Sequence, residues 1–162
     1  MRNHFVLLAA AILLSVSATA KNQPKFKSIE VRHFSQAEGV ELPPEFSDFL
    51  YAEIRADLQK KKLADQLPGE NEVVDPADAP QSVILEGSVL EYKKGSVVKE
   101  SLIGFGMGMR SLSTHVKLTR RSDNKALIDK DVKVRASSKL DPKHLAKYLA
   151  GEITGELKHQ PE

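Results

Sequence analysis

Apolar residues along this chain fall into three patterns: one unbroken run, two stretches at helical spacing, and several alternating stretches. The unbroken run extends from Phe5 to Val16. Helical spacing appears first in Phe46, Phe49, Leu50, Ile54 and Leu58, with Glu45, Asp48, Glu53, Asp57 and Lys61 turned away. Pro43-Pro44 opens this helix, where the first N–H groups lack partners in any case. Acids at its start and Lys60-Lys61-Lys62 at its end suit the helix dipole, so the lysine run reads as a solvated terminus. The second amphipathic stretch is Leu145, Leu149, Ile153 and Leu157 with Tyr148 beside them, begun by Asp141 as N-cap and Pro142 as first residue. Gly151 and Gly155 are unexpected inside it, since each costs a helix interior about 1 kcal/mol relative to Ala. Close packing on a sheet explains them most simply; a docking surface for a partner is the sharper reading.

Alternation marks the strands. Phe26–Phe34 is the first, and Val83–Tyr92 the second, with Val83, Leu85, Gly87 and Val89 sharing a face. On that spacing Glu86 and Glu91 fall on opposite faces. From Ser111 to Arg121, Leu112, Thr114, Val116 and Leu118 point one way and Ser113, His115, Lys117 and Thr119 the other. Ala126, Ile128, Val132 and Val134 point inward in the last strand, Ala126–Ala136, and Lys130 interrupts them, which predicts an edge position or a bulge. For Val116 and Val132 to share a face, the turn at Ser122–Lys125 must hold an odd number of residues or a bulge must correct the register. A loop of about three to five residues is expected. The stretch Leu63–Gln81, with Pro68, Pro76 and Pro80, reads as a mobile surface loop. The order β-α-β-β-β-α predicts one α+β domain over residues 21–162. It is a two-layer sandwich with a mainly antiparallel sheet and both helices on one face.

The apolar run changes the compartment. Arg2, the run itself and Ser17-Ala18-Thr19-Ala20 have the form of a signal peptide, with Ala18 and Ala20 at the positions that direct cleavage after residue 20. The expected location is therefore periplasmic, with no stable membrane anchor after cleavage. The chain has no cysteine, which excludes disulfides, thiolate metal sites and a lipid-modified lipoprotein cysteine. Lys+Arg number 24 against 22 acids, too even a balance for a generic nucleic-acid binder.

Ile103–Met109 is the least ordinary segment: Gly104, Gly106 and Gly108 alternate with Phe105, Met107 and Met109. A dinucleotide fingerprint would need glycine where Met109 stands and a helix where a strand pattern follows; a phosphate loop would need Gly-Lys-Ser/Thr. What remains is close backbone approach on the glycine side and a flexible apolar strip on the other. If the domain covers that strip it is core, the favoured placement. If exposed, Gly104 through Met109 form a partner contact together with Gly151 and Gly155.

With Leu85-Glu86-Gly87-Ser88-Val89, Gly95, the glycine run, Val116-Lys117-Leu118 and the turn beyond, the chain resembles a bacterial family known as domain of unknown function 4410. The resemblance covers roughly residues 27 to 157. It implies an exported envelope protein, without assigned catalytic residues, with a fold like small α/β modules of envelope assembly. The chain departs from lipoprotein members in lacking their cysteine, and at Asp123-Asn124-Lys125, where glycine is usual.

Chemistry is sparse. His33, His115, His144 and His159 have no metal spacing, and neither a nucleophile elbow nor a Ser-x-x-Lys pair occurs in context. With no Trp and 6% aromatics, a sugar-stacking platform is not expected. The sequence thus predicts no cofactor, no metal and no catalysis. It points to a protein-binding or assembly module whose partner is another envelope protein. The alternative is a carrier of a small ligand or lipid in an apolar pocket between helices and sheet.

Overall fold

The computed structural model describes residues 24–103 and 108–159. The signal-peptide residues, Ala18 and Ala20 included, lie outside the described residues, as do Gly104, Phe105, Gly106 and Met107. The elements are β1 (Phe26–Val31), β2 (Ser35–Gln36), α1 (Phe46–Lys60), β3 (Ala64–Gln66), a 3-10 helix (Pro76–Gln81), β4 (Ser82–Lys93), α2 (Val97–Ile103), β5 (Arg110–Arg120), β6 (Ala126–Ala136) and α3 (Lys143–His159). This is the expected α+β class, with the main strands and both amphipathic helices where their patterns put them. The sheet runs β3-β1-β4-β5-β6, with β2 also on β4. The long β4–β5 and β5–β6 ladders are antiparallel, and the short pairs made by β1, β2 and β3 are parallel.

Four short elements, β2, β3, the 3-10 helix and α2, carry too little periodicity to be read beforehand. The segment 63–81, expected as a mobile surface loop, contains β3 and the 3-10 helix. The first strand is broken: Val31 pairs with Leu85 and Ser35 with Ser88, so the β1–β2 side is one residue longer than its partner. In the break, Phe34 turns its ring over Gly87, where an added Cβ would lie 2.6 Å from the ring and 2.5 Å from His115 O. Only glycine leaves that space.

Two bulges set the faces. Between β5 and β6, Leu118 pairs with Ile128 and Thr119 with Ala126, leaving Leu127 as the extra residue. The loop of 121–125 and this bulge together put Leu112, Thr114, Val116 and Leu118 opposite Val134, Val132, Lys130 and Ile128. Ala126, expected inward, is exposed because the bulge takes up its step. Lys130 is at an edge, as expected, and reaches Glu156 of α3 at 2.8 Å. In β4 a second irregularity between Val89 and Glu91 turns Leu90 out. It moves Glu91 to the face of Glu86, contrary to the plain alternation: Glu86 pairs with Lys117 and Glu91 with Ser113. The two carboxylates remain more than about 10 Å apart along the strand, too far to act as a hydrolytic pair.

The core lies between the sheet and the adjacent helices α1 and α3, around Leu50, Ile54, Leu85, Leu118, Leu149 and Ile153. Asp141 caps α3 by accepting from Lys143 N at 2.8 Å. The helices meet at a polar knot on the rim of the core, of which only Thr154 is buried. Thr154 is fully buried, with its hydroxyl 2.8 Å from Asp57 Oδ2 and 2.8 Å from Ala150 O; Lys61 donates to it and lies 2.8 Å from Asp57. Burial pushes the Asp57 carboxyl up, but hydrogen bonds from Lys61 and Thr154 outweigh it and hold the group below its ordinary range. On the opposite face the 3-10 helix covers Ser28 and Ser82, whose hydroxyls are 2.8 Å apart. Glu30, only 1% exposed, accepts there from Arg32 Nε at 3.0 Å, from Asn71 N at 3.3 Å and from Arg121.

Thr114 is fully buried on the helix side and its hydroxyl finds no partner among the described residues. Replacing that unsatisfied group with a methyl, Thr114→Val, is expected to stabilise the fold by about 1 kcal/mol, read from the denaturant midpoint at unchanged slope. Asp57, with its lowered folded-state pKa, stabilises above the ordinary carboxylate range near pH ~4, and that contribution is lost as pH falls through the lowered value. Asp57→Asn should therefore cost about 1–2 kcal/mol near neutral pH, and the difference from wild type should shrink on acidification. Parallel urea titrations at several pH values check it.

Candidate interaction surfaces

Four surface features have a shape or chemistry that could engage something. The first is the margin where α3 meets the edge strand β6. An ideal Cβ on Gly151 or Gly155 would meet nothing within 4 Å. These glycines are therefore not there for close packing on the sheet, the simplest sequence reading; the stripe they form opens outward. Tyr148 stands above them, 46% exposed. A groove of about 420 Å³ lies between Gly151 and β6, with Val134, Arg135, Lys147, Tyr148 and Glu152 among its walls. Among the described residues β6 pairs with β5 alone, so its other backbone edge ends the sheet.

The second feature is the exit from the sheet before β5. Gly95 (φ 73°) and Gly108 (φ 87°) both take left-handed backbone that favours glycine. A Cβ at Gly95 would fall 2.6 Å from Gly108 O, and one at Gly108 2.5 Å from Ser96 O. Ser96 N donates to Gly108 O at 2.6 Å, closing the neck. At the described ends of this segment Ile103 closes α2 and Gly108 has a left-handed backbone, so neither end is strand; Gly104 to Met107 lie outside the described residues. Met109 is half-buried beside the neck. Among the described residues the exposed apolar groups here are Val97 and Val98, at 48% and 65%. Glu100 fastens α2 to the loop before α3 by accepting from Ser138, its N–H at 2.8 Å. Bonds from the Ser138 and Ser137 side chains and the Ser138 N–H hold this carboxyl below its usual range.

The third is the sheet face away from α1 and α3. A groove of about 330 Å³ there is bordered by Arg32, His33, Glu86, His115 and Lys117. His115 lies between two carboxylates of β6, with Nδ1 2.9 Å from Asp131 and Nε2 3.2 Å from Asp129. His33 stacks on Tyr51 at 4.1 Å and bonds Glu70 through Nδ1 at 2.6 Å. The His33 N–H and ring keep the Glu70 carboxyl below its ordinary value. These histidines brace strands and loops. Among the described residues, no group of three or more His, Asp or Glu is placed to hold a metal ion.

The fourth, of about 740 Å³, follows the outer side of α1 past Tyr51, Ala52, Arg55 and Lys62. Arg55 crosses it to donate to Leu67 O at 2.7 Å and Pro68 O at 2.9 Å, so it serves as a strut for the loop. Of the residues singled out from sequence, the structure joins Gly151 and Gly155 in one surface. It places Gly108 and Met109 at a separate neck. Missed by sequence were the exposed α2 valines and the placement of Gly151 on a groove beside β6. No described helix is long and apolar enough to cross a membrane.

The model of the family described as Domain of unknown function (DUF4410) matches residues 16–130. No curated protein matches by sequence. Among solved structures, the PelC dodecamer from Paraburkholderia phytofirmans is similar with a TM-score of 0.58 at 14% identity, over 85% of this chain and 91% of that one. A hypothetical protein from Chlamydia trachomatis aligns with a TM-score of 0.58 at 12% identity, over 83% and 97%. A protein from Xanthomonas campestris gives 0.55 at 13% identity, over 83% and 86%. At these identities the likeness is one of fold.

Because the space over Gly151 and Gly155 is open, alanine at either position should raise helix stability without a clash. Gly151→Ala and Gly155→Ala are each expected to stabilise the isolated protein by about 0.5–1 kcal/mol, seen as a raised melting temperature.

Proposed function

The chain belongs to the DUF4410 family, and on that premise we propose that it is a non-catalytic assembly module of the bacterial envelope that acts by binding protein at its α3–β6 margin. The observation that carries this reading is the open α3 position at Gly151, continued by Gly155, on a groove beside a β6 edge that no described strand pairs. Two interior glycines weaken a helix, and here no internal packing compensates for them. A partner that approaches closely gives them a use, and a free strand edge offers it a row of backbone donors and acceptors.

The dodecameric assembly of PelC, a protein of the same fold, supports association as a use for this architecture. The N-terminal run with Ala18 and Ala20 supports export to the periplasm, and the absence of cysteine supports a form without a lipid anchor. A carrier would need an apolar pocket beneath the helices. That space is filled by Leu50, Ile54, Leu145, Leu149 and Ile153, each no more than 1% exposed, which favours the binding module.

Crosslinked affinity capture from intact envelopes tests this, comparing wild type with Gly151→Ala and Gly151→Arg. One protein, recovered about stoichiometrically by wild type, less by Gly151→Ala, and reduced about tenfold or more by Gly151→Arg, is expected. Equal recovery by the arginine variant, melting no lower than wild type, would remove the α3 margin from the function.

A further inference from the structure

The charges on β6 are ordered along the strand. On the face away from the helices stand Asp129, Asp131, Lys133 and Arg135, acids first and bases second, all exposed. Such an order is self-complementary when the strand meets an antiparallel copy of itself. We propose that β6 pairs with β6 of a second copy of this chain about a two-fold axis at Val132, continuing the sheet across a homodimer. This inference deepens the protein-binding reading above and rests on it.

The register follows from the sequence. With Val132 opposite itself, Asp131 faces the partner's Lys133 and Asp129 faces the partner's Arg135, each contact occurring twice by symmetry. Both sheets then keep their helices on the same side, because directly opposed residues share a face. Sliding the axis to residue 131 sets Asp131 against itself, and sliding it to 133 does the same to Lys133. Moving it to 130 opposes Asp129 with Asp131, and moving it to 134 opposes Lys133 with Arg135. Of these registers, only the one centred on Val132 opposes no like charges.

Local bonds leave room for the pairing. Asp129 and Asp131 bond His115, yet their side chains stay 55% and 64% exposed. Lys133 reaches Glu91 at 3.6 Å and remains 46% exposed. On the helix side, Lys130 is held back by Glu156 at 2.8 Å and would face the partner's Val134. Helices beside a new strand pair must come together, and ordinary side chains keep axes about 8–10 Å apart. Gly151, on the groove beside this edge, and Gly155 one turn further along α3 carry no side chain to keep a second α3 away. Charge order and glycine placement are separate observations on one margin, and a second copy accounts for both.

Sedimentation velocity of the full exported protein over a range of concentrations tests the pairing with two exposed substitutions. Asp131→Lys and Lys133→Asp each place like charges across the axis, and each should raise the dimer dissociation constant about tenfold or more. Mixing the two variants makes every contact at these positions complementary again, so the heterodimer should re-form at wild-type concentrations. That recovery also shows both variants to be folded. A wild type that stays monomeric, a dimer insensitive to both variants, or a mixture that stays apart while each variant melts like wild type would overturn the pairing. Monomeric wild type that still captures a different envelope protein through the Gly151 margin would overturn self-pairing alone and leave the binding function standing.

Discussion

The strand register between β5 and β6 governs most of this molecule. Side chains on a strand alternate strictly, so a slip of one residue would turn Ile128, Val132 and Val134 into solvent and bring Asp131, Lys133 and Arg135 under α3. The extra residue at Leu127 prevents that slip. It sends the apolar set toward Leu145, Leu149 and Ile153 and leaves the charges in order on the far side. Core and charged edge are therefore consequences of the same bulge.

The two sheet faces are stabilised differently. Beneath α1 and α3 the contacts are apolar, interrupted by the Asp57–Lys61–Thr154 knot and the unpaired Thr114 hydroxyl. On the other face the strands meet salt bridges, loop segments and the short 3-10 helix instead of an α-helical layer. Burial there pushes Glu30 up, but the bond from Arg32, the Asn71 N–H and the charges of Arg121 and Arg32 prevail and keep it ionised at lower pH than usual. One carboxylate thereby links β1, the loop after β3 and the start of the β5–β6 turn. Such pairing is needed because a lone buried charge would cost several kcal/mol.

Long periodic segments were legible in the sequence. The alternation of 112–119 and the leucine spacing of 145–157 each describe an element whose one face must be buried, and the need for a register correction after β5 could be stated beforehand. Legibility stopped where a local signal depends on distant atoms. Gly87 looks like any strand glycine until Phe34 is seen over it. Glu91 follows the alternation until Leu90 turns outward. Gly151 and Gly155 looked like packing residues because sequence spacing shows that a helix face lacks side chains, but not whether anything lies against it. β3 is held to β1 by ladder bonds in a segment too short to show a period.

The closed neck at Gly95 and Gly108 fixes one end of the excursion between β4 and β5. The chain leaves β4 and re-enters β5 across the Ser96–Gly108 backbone bond, and Glu100 of α2 ties the excursion to Ser138 ahead of α3. The helix between the strands is therefore anchored at two points, and it mechanically couples the end of the β4–β5 ladder to the start of the last helix.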